Sequence, residues 1–173
     1  MDELRNNPQI IELLETLEEN GMHKEKGEVS ALVSYIGDME HTLSAMLVEM
    51  QEMRKEVNMI HNSSVKAKCE NLIQTADGKI RQGVAAISKA KNNLIASAAN
   101  AMKAFREKGK EALKNAVKAM KIPETLDKLG KVFHSFAVSM NENVQNVQNA
   151  RMELGGAKKH LINAGRFFFG KEA

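Results

Sequence analysis

Ten apolar residues, Val29, Leu32, Ile36, Met39, Leu43, Met46, Met50, Met53, Val57 and Ile60, follow one another at alternating steps of three and four, with no polar residue in the row. Steps averaging 3.5 hold a row of side chains on one side of an α-helix, and nearly five filled heptads predict the seam of a coiled coil or long bundle. A strand would throw successive side chains to opposite faces and scatter this row. Residues beside the seam lean acidic, with Glu28, Glu40, Glu49 and Glu56 against Arg54. Four seam positions are Met, a flexible filler that is expected to serve the chain's own core rather than a groove for many partners.

The flanking sequence extends the helical reading. Asn7 is a good N-cap, Pro8 suits the first helical position, and Ile10, Leu13, Leu14 and Leu17 form a stripe that Asn20-Gly21 ends. His61-Asn62-Ser63-Ser64 interrupts the next phase, after which the stripe resumes through Val65, Cys69, Leu72, Ala76, Ile80, Gly83, Ile87, Ala90, Leu94, Ala98, Ala101 and Phe105. Eleven of the 35 residues at 85–119 are Ala, which favours helix and lets backbones approach closely. Gly109 is the expected kink, and Lys121-Ile122-Pro123 the stop. A last stripe runs Leu126, Leu129, Phe133, Phe136, Met140, Val144, Val147, Leu154, Leu161 and Phe168. The prediction is one all-α domain over 1–173, an elongated antiparallel helical bundle with coiled-coil-like heptad packing. Its short first helix covers about 8–20, and its long helices about 27–61, 64–121 and 124–168. Seven aromatic residues and two Pro argue against a β-sandwich.

Charge is divided along the chain. Residues 1–60 carry eight negative charges in excess and residues 61–173 eleven positive ones, leaving a net +3. An acidic helix packing on a basic one inside the fold is one reading, and a basic arm for nucleic acid or anionic lipid is the other. The basic arm would centre on Lys103, Arg106, Lys110, Lys114, Lys118 and Lys121, whose 3-4-4-4-3 spacing gathers them on one side of a continuous helix opposite Phe105, Ala112, Leu113, Ala116 and Met120. Glu107 and Glu111 offer pairing partners along that helix. Without Trp, and with a single Tyr, the usual interfacial anchors and base-stacking platforms are scarce.

Catalytic patterns are missing. The lone Cys69 lies on an apolar stripe and is expected to be a buried structural thiol, and the five His residues never fall at i, i+3 or i+4 from one another. Glu49, Glu52 and Glu56 place three carboxylates on one helix but lack the matching Glu-x-x-His of a metal-carboxylate site. Gly155-Gly156 and residues 165–170 have neither the spacing nor the preceding strand of a phosphate loop. The expectation is a non-enzymatic protein with no metal, cofactor or small-molecule substrate. One Cys and an opening Met-Asp-Glu-Leu without a signal-peptide pattern suggest a reducing cytoplasm. Residues 165–171 hold three consecutive Phe, and Phe167, Phe168 and Phe169 form either an end cap or a partner contact.

The segments Asn7-Pro8-Gln9-Ile10-Ile11-Glu12-Leu13-Leu14, Met53-Arg54-Lys55-Glu56-Val57, and Ile60-His61-Asn62 through Lys66-Ala67-Lys68-Cys69 resemble a family of uncharacterised small helical proteins from Gram-positive gut bacteria. That resemblance implies a bacterial cytoplasmic origin and no activity, cofactor or site. Taken together, the readings point to a helical interaction or scaffold protein with a protein partner or self-association. The alternative is a peripheral binder of anionic lipid or nucleic acid through the cationic face.

Overall fold

The computed structural model describes residues 4–60 and 63–152, with side chains except those of Glu56 and residues 139–152. Five helices follow in order: α1 (Pro8–Glu19), α2 (His23–Asn58), α3 (Ser63–Lys108), α4 (Lys110–Ala119) and α5 (Ile122–Met152). The chain forms two compact units, one of Met1–Glu40 with Ala85–Gly130 and the other of His41–Val84 with Lys131–Ala173. Both are helical, and α2, α3 and α5 each contribute residues to both.

In the first unit the Asn7 side chain accepts hydrogen bonds from the N–H groups of Gln9 and Ile10 at 3.0 and 3.4 Å, satisfying two otherwise orphan donors ahead of Pro8. The other end of α1 closes in a Schellman motif. Gly21 takes φ +67°, its N–H reaches the Glu18 carbonyl at 2.9 Å, and the Met22 N–H reaches that of Leu17 at 2.8 Å. Met22 is buried there, and α2 starts at once, four residues ahead of the expected Gly27. The Schellman turn explains this: the Met22 carbonyl already receives the Lys26 N–H at 3.0 Å, so His23-Lys24-Glu25-Lys26 makes the first turn. Leu4, Ile10, Leu13, Leu17, Val29, Leu32, Val33, Ile36, Ile87, Leu94, Ala98, Ala101, Met102, Leu113, Val117, Ile122 and Leu129 fill this unit's core.

The second unit buries Leu43, Met46, Met50, Met53 and Val57 of α2 with Cys69, Ile73, Ala76 and Ile80 of α3 and the edge-to-face pair Phe133/Phe136 of α5, whose ring centroids lie 6.4 Å apart. Its helices approach closely at Gly83, where an added Cβ would stand 3.2 and 3.4 Å from the two Leu43 methyl groups. Gly83 therefore admits the Leu43 side chain against the α3 backbone, a use that offsets its poor helix propensity.

Eight of the ten predicted seam residues of α2 are buried, while Met39 and Ile60 are half-buried. The stripe is wider than a strict two-in-seven row, since Val33 is buried beside it, as Ile73 and Met102 are beside the predicted stripe of α3. The single helix expected over 64–121 is two helices, because Gly109 adopts φ +76° and ψ −165°, which no α-helical residue holds. The last helix begins at Ile122 rather than 124. Pro123 then occupies a first-turn position, where its missing N–H has no intrahelical partner to lose. The expected core positions from Met140 onward, the Gly155-Gly156 break and Phe167, Phe168 and Phe169 lie outside the residues whose side chains are described.

Two sets of substitutions test this packing. Leu43→Asp buries an unpaired carboxylate and should cost several kcal/mol, visible as a collapsed circular-dichroism melt. Gly78, with open space around its Cβ position, and Gly83 should respond with opposite signs. Gly78→Ala is expected to stabilise by up to about 1 kcal/mol, whereas Gly83→Val should destabilise by about 1–3 kcal/mol through overpacking against Leu43. Equal melting shifts in the two variants would contradict the close approach.

Candidate basic surface

Helix α4 is ten residues long and held between two left-handed backbone positions, Gly109 at φ +76° and Lys121 at φ +49°. Leu113 and Val117 are buried at 0% and 2% exposure, followed by Ile122 at 1%, and these three fix the orientation of the segment. The opposite side carries Lys110, Lys114 and Lys118, all exposed. At about 1.5 Å rise and 100° per residue, each four-residue step moves about 6 Å along the axis and about 40° around it, so the three ammonium groups form a row confined to about 80° of arc. Glu111 in the first turn and Lys118 in the last both complement the helix dipole.

The six predicted basic residues do not share one helix. Lys103 and Arg106 belong to α3, Lys110, Lys114 and Lys118 to α4, and Lys121 to the turn after it. All six are exposed. Lys103 lies 4.0 Å from Glu107, and Arg106 is paired with Glu12 of α1. Lys110, Lys114, Lys118 and Lys121 have no ion pair with a described residue, and neither Lys110 nor Lys114 takes the expected partner Glu111. Exposed Lys108, the last residue of α3, belongs to the same stretch.

Elsewhere the charge division of the sequence is partly internal. Glu40 of α2 receives Lys91 of α3 at 3.1 and 3.4 Å, with the lysine side chain only 14% exposed. In the second unit Asp77 accepts from Arg81 at 2.8 Å and lies 3.3 Å from Arg54, one arginine on its own helix and one on α2. The Arg81 hydrogen bond, helped by Arg54 and opposed by partial burial, holds the Asp77 carboxyl below the usual aspartate range. Glu18 is likewise lowered, first by Lys26 at 2.9 Å and then by His23 at 3.3 Å, which offsets its unfavourable place at the end of α1. Burial raises the Tyr35 hydroxyl, which stands 3.9 Å from the Cβ position of Gly130.

Cys69 is buried at 1% exposure. Among the described residues no three His, Cys, Asp or Glu side chains gather as a metal site, and no helix is long and apolar enough to cross a membrane. One surface feature had no signal in the seam analysis. Val48 and Met59 are 59% and 69% exposed, and at eleven residues apart they lie on nearly the same side of α2 and its C-terminal turn, with the Glu52–Lys55 pair between them.

A family model described as "Family of unknown function (DUF6674)" matches residues 6–173. No curated protein and no solved structure matches the chain.

Lys121 holds a conformation that disfavours a side chain by about 1–2 kcal/mol. Lys121→Gly is therefore expected to keep or raise the melting temperature, and Lys121→Val to lower it. At Asp77 the folded-state pKa is depressed, so its contribution is complete above the ordinary aspartate value and fades as pH falls through the lowered one. Asp77→Asn should cost about 1 kcal/mol or less at neutral pH after allowance for solvent screening, and the penalty should vanish in acid. Denaturant titrations at neutral and acid pH check the sign, and a penalty that grows in acid would contradict it.

Proposed function

We propose that this chain, which belongs to that family of unknown function, is a non-enzymatic helical interaction or scaffold protein of the cytoplasm, folded as one bundle domain with its seams in heptad register. The observation that carries this reading is the division of labour on α2. Its seam, with Met46, Met50 and Met53 included and Met39 half-buried, is largely consumed by the protein's own core, while Val48 and Met59 remain large, apolar and exposed on another side. Met46, Met50 and Met53 are 2–6% exposed, so a partner met by the folded chain meets the Val48 side rather than the seam. Covering a Val or Met side chain fully is worth about 1.5–3 kcal/mol, enough for a weak helix-to-helix contact that the flanking charges would orient.

Other features agree with this reading. Among the described residues, Glu18, His23 and Lys26 are exposed groups joined in a surface ion-pair cluster. The single thiol is a buried core side chain, which suits a reducing compartment.

A photo-crosslinking amino acid at position 48, introduced in the source cell, tests the proposal. A discrete crosslinked species is expected, and it should disappear when Met59→Glu is added. A chain that stays uncrosslinked, or that yields the same product with Met59→Glu, would contradict a contact on this side of α2.

A further inference from the structure

We propose that the exposed side of α4, extended by Lys108 and Lys121, binds the phosphate backbone of duplex nucleic acid without reading its sequence. The proposal concerns a different surface from the Val48 side, so either can fail alone. Lys110, Lys114 and Lys118 present a row of positive charge that rises about 6 Å and turns about 40° at each step. The row is fixed in direction by the burial of Leu113 and Val117 beneath it and by the two left-handed positions that bound it. Among the described residues its charges meet no carboxylate in an ion pair, in contrast to Arg106, Lys91 and Arg54.

The chemistry of the surface selects among anionic partners. An amphipathic helix holds to a lipid surface by immersing its apolar side. Here that side is in the core, so lipid would be left with charge alone, which does not anchor stably. Single strands are gripped by stacking bases on aromatic rings, and the exposed side of α4 carries none. A protein carboxylate adds about fivefold or less per exposed ion pair, so a few isolated acids on a second copy would not hold. A duplex supplies closely spaced phosphates with condensed counterions, and releasing those counterions rewards a row of lysines even when each contact is weak. Helix α4 contains no arginine and its row is lysine throughout, charge without a planar fork, so the contact is to backbone and indifferent to sequence.

The test is fluorescence anisotropy of a short labelled DNA duplex with the full chain across a salt series. About four phosphate contacts give a log-log slope of about −3 to −4, a loss near 10²-fold between about 50 and 200 mM salt. A shuffled duplex should bind equally. Lys114→Gln with Lys118→Gln should reduce the slope by about 2 while leaving the circular-dichroism melt close to that of the wild type, because both side chains are exposed and Lys118 gives up only its small interaction with the helix dipole. The same protein should not co-sediment with phosphatidylserine vesicles at salt concentrations where the duplex is held. The inference is overturned by a wild-type chain that leaves the duplex free at the lowest salt, by a slope unaltered in the double variant, or by vesicle binding without duplex binding.

Discussion

The structure depends on removing one row of side chains on α2 from water. Each fully buried Val, Leu, Ile or Met is worth about 1.5–3 kcal/mol, and α2 supplies such residues to both compact units, from Val29 to Ile36 in the first and from Leu43 to Val57 in the second. A 36-residue helix has no independent reason to persist with an acidic flank and Gly27 in its second turn. Its stability comes from the partners that cover the row. The buried residues of the other helices share a unit with this row: Leu13 and Leu17 of α1 and Ile87 of α3 in the first, Ile80 of α3 and the Phe133/Phe136 pair of α5 in the second.

Covering a long seam restricts where the remaining chemistry can stand. Ion pairs collect at its margins, where Lys91 reaches Glu40 and Arg54 reaches Asp77, each joining α2 to α3. Such pairs add little free energy when exposed, yet they fix the choice of neighbour because the alternatives juxtapose like charges. Among the described residues, the outer surfaces carry cations of α4 that form no ion pair and apolar residues of α2 that stay exposed.

Much of this was legible in the sequence because it follows from period and local chemistry. The seam of α2, the Asn7-Pro8 start of α1, the buried Cys69 and the break at Gly109 all belong to that class. Three things were not legible. That Gly83 is a site of close approach depends on Leu43, forty residues away in sequence. The early start of α2 depends on a Schellman turn whose last residue, Met22, is buried by tertiary packing. The basic residues looked like one face because spacing presumes a continuous helix. A single residue at φ +76° divides them between α3 and α4, and the pairing of Arg106 with Glu12 removes one more from the free set. The exposure of Val48 was invisible for a related reason, since an apolar residue beside a seam is covered or not according to neighbours the periodicity does not name.

Native-state hydrogen exchange read by mass spectrometry tests the dependence on the α2 seam most directly, because amide protection reports the free energy of opening each segment. The account predicts that peptides covering residues 29–57 exchange slowest together with those covering 76–101. Leu43→Ala should speed exchange along the whole α2 stretch of residues 43–57, not at its own position alone. Rapid exchange of residues 29–57 in the wild type, with protection confined to α1 or α5, would contradict it.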